Sequence, residues 1–544
     1  MHALRPSSLF RPSSRPTSPI PVPTANGAPR SESVGPVDRA PRSLAKLSLT
    51  SFRRPSPAPA QVSAGPAAAI TQDGSYLEVL SLKLSEVVSR ALAQPTGPAA
   101  PHEQLNGRRP IPPGRGHALG ALIETELNAS RGNPHLRKAV LRTLQRPLST
   151  LLTTLSSQLL PLLSSPAFTT PSAPTSQNPS LTPVQTHALG LAMFAGELLE
   201  TFDDLGLGLD ADVRGDGLKS VRESLASVAR RVINPIVAGI KSELLPLIEA
   251  VEQPSSGTNA NGNPTLPKST SSKPGVSQHH ALASLQVVMP IYARTLSRCF
   301  AVPTTHSTLA TFIISLAWRA LVALSHRVPV PPSPPTSPPL TPGLPKKTRS
   351  NTPPTTPPST KFILKLPASR PPSPPAPRAF PSVAADARTL FDLLNMLPRP
   401  STELPTTRLA REAVDDAFNG LQALVALLEL EAIAVSGRDP AEVAKELVAL
   451  TVELPTLIAL PVLLNAFVLP YHSSGWRTVA GMLGMSESEY RQGCLAGFGR
   501  AEECTTAVGQ RALDVLAAEP GLTAEPAAQA VVLWLTNEVA EAEA

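Results

Sequence analysis

The sequence predicts an all-α protein whose helical blocks are interrupted by long disordered segments rich in Pro, Ser and Thr. Apolar residues in the blocks recur at spacings of three and four, which is the period of an amphipathic helix. Aromatic residues make up only 4% of the 544 residues, which argues against a large β-sandwich, and no β-branched alternation is long enough to build a sheet. Because no fixed repeat is found, we expect either an irregular helical bundle or an α-solenoid-like helical array.

The blocks in the first half of the chain carry apolar faces and start signals. In residues 76–93 six apolar side chains fall on one stripe. Thr182 followed by Pro183 combines an N-cap residue with proline at the first helical position, whereas Pro147 predicts a break or kink in its block. The helices predicted in this half cover residues 76–93, 117–127, 134–163, 182–205, 218–251, 279–300 and 307–326. The region 218–251 is expected to be interrupted at Pro235 and Pro246.

Start signals are clearest in the last third of the chain. Asp439 and Pro440 form an N-cap and first helical position ahead of an apolar stripe. Ser486 and Glu489 have the spacing of a capping box. The helices predicted here cover residues 384–397, 405–435, 440–453, 456–468, 475–484, 487–497, 501–518 and 525–541.

Proline marks the segments between these blocks. The chain has 64 prolines, and they crowd into stretches with too little apolar surface to offset the ~1–2 kcal/mol per residue of backbone ordering. The predicted organisation is a disordered basic tail over 1–72, a helical region over 73–252 with disordered loops near 94–115 and 164–182, a disordered linker over 253–277, a helical pair over 278–328, a disordered Pro-rich tract over 329–381 and an acidic helical domain over 382–544.

Charge is divided sharply along the chain. Residues 253–385 contain no Asp or Glu but 13 Lys and Arg, whereas residues 386–544 contain 22 acidic and 10 basic residues. Opposite charges of this size predict an intramolecular contact between the tract 329–381 and the domain 382–544. Other proteins are the expected partners, and a polar tether without a partner is the alternative. Nucleic acid is disfavoured, because the basic residues are sparse and lack interleaved aromatic residues, and a membrane partner is left open.

One segment of the tract, KFILKL over residues 361–366, has the period of a strand, with Phe362, Leu364 and Leu366 on one side and Lys361, Ile363 and Lys365 on the other. It is too short and isolated to form a sheet alone. It is expected either to dock on a partner by adding a strand or filling an apolar groove, or to fold back onto the acidic domain; an incidental apolar patch is the alternative. The candidate docking residues are Lys361, Phe362, Leu364, Lys365 and Leu366.

The tract also carries candidate regulatory signals. Six Ser or Thr residues precede a proline, as proline-directed kinases require, although such pairs are also unavoidable in a segment of this composition. The candidate phosphosites are Ser333, Ser337, Thr341, Thr352, Thr356 and Ser373. Lys346, Lys347 and Arg349 have the form of a short nuclear import signal.

No pattern in the sequence predicts an enzyme, a cofactor or a metal site. Cys299, Cys494 and Cys504 are too few and too far apart for a disulfide framework or a zinc site, which indicates a reducing compartment. His279 and His280 stand at a predicted helix start, where a capping or an exposed role is expected rather than metal binding. The glycine-rich residues 493–499 have no preceding strand and the wrong spacing for a nucleotide-binding loop.

Two uncharged stretches, residues 299–318 and 454–476, approach the length of a membrane span. The apolar part of the first is residues 309–324, which contain Arg319, and the second is interrupted by prolines, so neither offers ~20 consecutive apolar residues. Both are expected as buried helices. The N-terminus is rich in Arg and Ser, as mitochondrial targeting segments are, but its prolines would break the amphipathic helix that import needs.

These observations favour a non-enzymatic scaffold or adaptor in the cytoplasm or nucleus, with phosphorylatable Pro-rich tethers. The alternative is an organelle- or membrane-associated helical protein that uses the basic N-terminus for targeting, in mitochondria for example, and residues 454–469 for attachment.

Overall fold

Helices make up the regular structure of the described part of the chain, which confirms the all-α prediction. The computed structural model describes residues 67–95, 104–209, 218–253, 279–327, 383–403, 405–430, 438–471, 476–519, 521–522 and 525–543. Within these ranges the β-structure consists of one isolated bridge between Leu105 and Arg108.

The first eight helices precede the Pro-rich tract, and the other eight follow it. The first set is α1 Ala67–Leu92, α2 Arg115–Ala129, α3 Pro134–Leu163, α4 Pro166–Thr169, α5 Pro183–Asp204, α6 Leu218–Glu249, α7 His280–Cys299 and α8 His306–Ser325. The second set is α9 Val383–Leu394, α10 Pro405–Leu430, α11 Pro440–Thr451, α12 Thr456–Leu463, α13 Val479–Leu483, α14 Glu487–Cys494, α15 Phe498–Ala517 and α16 Pro526–Glu543.

Several helices begin where their capping residues predict. Thr182 and Gln185 form a reciprocal capping box at α5, as Ser486 and Glu489 do at α14. His279 caps α7, with its Nδ1 accepting a hydrogen bond from the backbone N–H of Ala281 at 3.2 Å. In each case a side chain satisfies a backbone donor that the first helical turn leaves without a partner.

Of the break or kink predicted at Pro147, the break is wrong, because α3 continues through it. The interruptions predicted at Pro235 and Pro246 are wrong too, because both prolines lie inside α6. Pro147 is itself buried, and the apolar stripe is buried on both sides of it, at Leu144 and Leu148. The free energy gained by burying that stripe in one core outweighs the loss of the one backbone hydrogen bond that proline cannot form.

The disordered loop predicted over residues 164–182 is also wrong. This segment contains α4 and buries Phe168 and Leu181. The Gln185 side chain on α5 donates hydrogen bonds from Nε2 to the carbonyl oxygens of Phe168 and Pro171, at 2.9 and 3.0 Å. The segment is therefore held by two buried apolar side chains and by the hydrogen bonds of Gln185. A composition rich in Pro, Ser and Thr does not indicate these contacts.

Two other predicted disordered segments are wrong in part. Residues 67–72 of the predicted tail belong to α1. Once the packed apolar stripe has formed the helix, each further residue that is fixed adds one backbone hydrogen bond, so the helix can extend beyond the stripe. In the predicted loop 94–115, the backbones of Leu105 and Arg108 pair with each other, and α2 begins at Arg115. The rest of the tail, and residues 96–103, lie outside the described residues.

The helix α8 is central to the packing of the described residues. It packs against α6 on one side and α10 on another, and it also contacts α9 and α12. Trp318 of α8 donates a hydrogen bond from Nε1 to the Leu495 carbonyl oxygen at 2.8 Å. Residues 66–544 group as one unit by their contacts, so the helical pair 278–328 packs against the helices that follow the tract.

The apolar composition of α8 is explained by this central position. Among the described residues, the segment Pro303–Ser325 is the one helix long and apolar enough to cross a membrane, and 67% of that stretch is buried inside the protein. The helix α12 is buried along its whole length. The apolar residues of 309–324 and of 454–469 therefore pack against the protein's own core.

Candidate functional site

The Pro-rich tract has its two ends held together by a buried ion pair. Arg327 directly follows α8, and Asp386 lies in the first turn of α9. Arg327 Nη1 is 2.7 Å from Asp386 Oδ2, and the two side chains are only 5% and 4% exposed. Loss of one partner of such a buried pair typically costs about 3–5 kcal/mol, because the other charge is left uncompensated.

The segment 254–278 has a similar closure. His279 Nδ1 accepts from the backbone N–H of Ala281, so its Nε2 carries the proton and donates to the Gln253 carbonyl oxygen at 2.9 Å. Both segments therefore leave and rejoin the helical unit at one place. The term loop anchors is used below for the pairs Arg327–Asp386 and Gln253–His279.

The candidate residues within the tract lie outside the described residues. This holds for the docking residues Lys361, Phe362, Leu364, Lys365 and Leu366, the phosphosites Ser333, Ser337, Thr341, Thr352, Thr356 and Ser373, and the import signal Lys346, Lys347 and Arg349. The loop anchors limit where such residues can act, because both ends of the tract are attached at one point of the helical unit.

A cleft of about 650 Å³ lies between α8, α10, α15, α16 and the connection from α11 to α12. Its rim is acidic, with five carboxylates and no Lys, Arg or His among the residues that line it. The five acidic residues are Asp416, Glu453, Glu502, Glu538 and Glu541. We call this site the acidic cleft; its charge attracts cations and basic segments.

The acidic cleft also has apolar walls. Ile314, Leu454 and Phe498 line it, and Val452 reaches it with 76% of its surface exposed. Phe498 is held by Trp318, with ring centroids 4.6 Å apart. Apolar walls beneath a charged rim suit an amphipathic ligand, because burying the exposed apolar surface stabilises the complex.

Glu538 links the walls of the acidic cleft to its rim. Thr456 at the start of α12 donates a hydrogen bond from Oγ1 to Glu538 Oε2 at 2.9 Å. Burial raises the pKa of the Glu538 carboxyl above its ordinary value, and the charge of Glu541 adds to that rise. A cation placed in the cleft would oppose both effects, because an opposite charge nearby favours the ionised carboxylate.

A second group of polar side chains, two of them buried and three half-buried, joins α14 to the residues that follow α6 and α8. Arg491 forms a bidentate ion pair with Glu252, with N–O distances of 2.6 and 2.8 Å, and its Nε donates to Glu487 at 3.0 Å. Burial lowers the pKa of His326 in this group, and the Arg491 charge adds to the effect. Tyr490 is fully buried, and its hydroxyl has no hydrogen-bond partner among the described residues. These contacts join the two halves of the helical unit.

The three cysteines have no feature of an activated nucleophile. Burial raises the pKa of Cys299 to about 12 and that of Cys494 to about 11, so both stay as thiols near neutral pH. Cys504 Sγ donates to the Gly493 carbonyl oxygen at 3.8 Å. The glycine-rich stretch contains the end of α14, the turn that follows it and the start of α15.

Comparisons with known proteins identify no relative. No family model, no curated protein and no solved structure matches this chain. Within the described ranges, no group of three or more His, Cys, Asp or Glu side chains is arranged to hold a metal ion. The acidic cleft and the loop anchors are therefore interpreted from their own contacts.

Sequence reasoning found the acidity of the last third of the chain but missed both sites. The cleft carboxylates come from four separate parts of the chain, so no local spacing marks them. The main anchor did leave a signal. Arg327 is the last charged residue before the tract, and Asp386 is the first acidic residue after Glu252.

Proposed function

We propose that this protein is a non-enzymatic interaction scaffold or adaptor whose helical unit presents the tract 329–381 to partner proteins as an anchored loop. The observation that carries the proposal is the buried ion pair between Arg327 and Asp386. A linker between two separate folded units does not need its flanking residues to pair with each other. A loop that presents a binding segment does, because the pair fixes both of its ends on the helical unit.

Anchoring has a thermodynamic advantage for display. Closing a loop costs about (3/2)RT ln n, so a segment of this length adds little to the cost of a short one. Burial of apolar surface at α8 and α9 offsets this loop-closure free energy. A proline-rich loop of this kind would keep its backbone accessible to partners and to kinases. A long proline-rich insertion is therefore compatible with a stable helical support.

Within the loop, the segment 361–366 is the proposed binding element, because Phe362, Leu364 and Leu366 align there on one side amid residues that are mostly Pro, Ser and Thr. The six Ser-Pro and Thr-Pro sites would regulate it, since each phosphate adds about −1.5 to −2 charges to a basic segment. Residues 346–349 would direct the protein to the nucleus, so that cytoplasm and nucleus are the proposed locations.

The membrane-associated alternative gains no specific support from the described residues. Its attachment segment, residues 454–469, has its apolar side chains buried in and after α12. Attachment through them would require that part of the core to unfold. The alternative then depends on the basic N-terminus alone, which lies outside the described residues.

Proximity labelling with the full-length protein tests the proposed function. Deletion of residues 355–370 should remove a specific set of partners, because it removes the binding element and leaves the loop anchors in place. Deletion of residues 330–345, which have the same length and no charged side chain, is the matched control and should keep those partners. A partner list that is unchanged by the first deletion would contradict the proposal.

A further inference from the structure

The acidic cleft and the segment 361–366 have complementary chemistry. The cleft has apolar walls at Ile314, Leu454 and Phe498 under a rim of five carboxylates. The segment carries apolar side chains on one side and two lysines on the other. From this match we propose that residues 361–366 of this chain occupy the acidic cleft in the free protein, and that partners must displace them.

This inference deepens the proposed function, because it names what the binding element contacts when no partner is present. The cleft volume of about 650 Å³ lies within the ~300–1,000 Å³ of sites that enclose a ligand. An extended six-residue segment is about 20 Å long, which allows three alternate side chains to enter the cleft while the others face its rim.

The covalent attachment permits this contact. Ile314, in the cleft wall, lies 13 residues before Arg327, or about 20 Å along the helix axis. Val383 lies 17 positions after Leu366; as a coil this stretch would span about 23 Å on average, and its fully extended limit is about 55 Å. The segment therefore reaches the cleft from the loop anchor without strain.

Attachment also makes a weak contact sufficient. A short flexible linker gives an effective concentration on the order of 1 mM. With that value, a segment that binds as a free peptide with a Kd of about 100 μM would occupy the cleft about 90% of the time. A contact of this strength holds the segment in the resting protein and still lets a tighter partner compete for it.

Charge favours this occupant over a neutral or acidic one. Residues 328–382 contain seven Lys and Arg and no acidic residue, and they are attached beside a site with five carboxylates. Phosphorylation of Thr356, five residues before Lys361, would place about −1.5 to −2 charges near that rim. Repulsion would then release the segment, which gives the phosphosites a direct physical effect.

A peptide of residues 355–370 tests the contact in trans. It is titrated into the full-length protein and into the variant Phe362→Ser/Leu364→Ser/Leu366→Ser, whose own segment can no longer compete. The variant should bind the peptide about tenfold more tightly than the wild type, and a peptide phosphorylated at Thr356 should bind several-fold more weakly. Equal binding by the two proteins, or no binding by either, would overturn the inference.

Neutralising the rim shows where the peptide binds. In the triple variant, adding Glu453→Gln and Glu502→Gln should weaken peptide binding at least about fivefold, because it removes two of the five rim charges. Asp392→Asn and Glu442→Gln, which neutralise exposed acidic residues away from the cleft, are the matched control and should leave binding unchanged. A peptide affinity that is the same with and without Glu453→Gln and Glu502→Gln would also overturn the inference.

These outcomes separate the inference from the proposed function. The peptide titration uses purified protein without partners, whereas the proposed function is judged by the partners lost on deletion of residues 355–370. A failed titration with partners lost would remove only the contact within the chain. A positive titration with an unchanged partner list would contradict only the scaffold role.

Discussion

His326 is the residue whose burial has the clearest measurable consequence. Its Nδ1 donates to the Val322 carbonyl oxygen at 3.0 Å, and its Nε2 lies 3.7 Å from Glu487 Oε1. Burial first, and then the charge of Arg491, lower its pKa, while Glu487 and Glu252 oppose them. The neutral form is therefore the stable one in the folded protein.

We predict that the folded protein loses stability as the pH falls through about 6.5, the ordinary value for histidine. Below that pH the unfolded chain takes up a proton that buried His326 does not, so the free energy of unfolding falls by up to about 1.4 kcal/mol per pH unit. Urea unfolding of the wild type and of His326→Gln at pH 7.5, 6.5 and 6.0 measures this slope, which the variant should reduce.

A second buried histidine limits the size of this change. Burial also lowers the pKa of His306, so His326→Gln should leave part of the slope in place. An identical slope in the wild type and in His326→Gln would show that His326 is not held in its neutral form.

At the scale of elements, the contact between α2 and α5 depends on glycine. A Cβ on Gly116 would lie 2.5 Å from the Phe194 carbonyl oxygen and 2.6 Å from Glu197 Cβ. The same close approach lets Glu197, which is 4% exposed, accept hydrogen bonds from the N–H groups of Gly114 and Gly116 at 2.7 and 2.9 Å. A carboxylate of one helix thus satisfies the first turn of another.

We predict that Gly116→Ala lowers the free energy of unfolding by about 1–3 kcal/mol, because it separates two packed backbones. Gly499→Ala is the matched control: it lies in the first turn of α15, and a Cβ there meets nothing within 4 Å. It should raise stability by up to about 1 kcal/mol through helix propensity. Calorimetry of the two variants should therefore shift the melting temperature in opposite directions, and a shared sign would contradict the packing argument.

At the scale of the whole molecule, the loop anchors imply that the tract is not needed to hold the two halves together. The helix α8 packs against α9 and α10, the Arg327–Asp386 pair is buried, and Arg491 joins Glu252 across the halves. Each of these contacts links residues before the tract with residues after it.

We predict that cutting the tract leaves one particle. A protease recognition sequence in place of residues 335–341 would allow the chain to be cleaved there, and the two fragments should still elute together in size-exclusion chromatography. The far-ultraviolet circular dichroism should be unchanged, because no packed helix is cut. Fragments that separate without denaturant would contradict the anchored-loop arrangement.

Local sequence signals determined most of the helical architecture of the described residues. Thr182, Ser486 and His279 mark helix starts because a capping side chain acts on backbone groups within three residues of it. The stripes at spacings of three and four identify the buried faces for the same reason, since the helix period is a local property. The segment 164–182 is the exception, because its order comes from Gln185 and the core rather than from its own composition.

Only the tertiary structure decided the sites. The carboxylates of Asp416, Glu453, Glu502 and Glu538 converge because α10, α15 and α16 pack around the start of α12, and no spacing along the chain encodes that meeting. The pairing of Arg327 with Asp386 likewise joins residues 59 positions apart. The charge pattern predicts that the tract and the last domain attract each other. The fold decided that the residues flanking the tract meet and which cleft lies near them, since both depend on packing between distant segments.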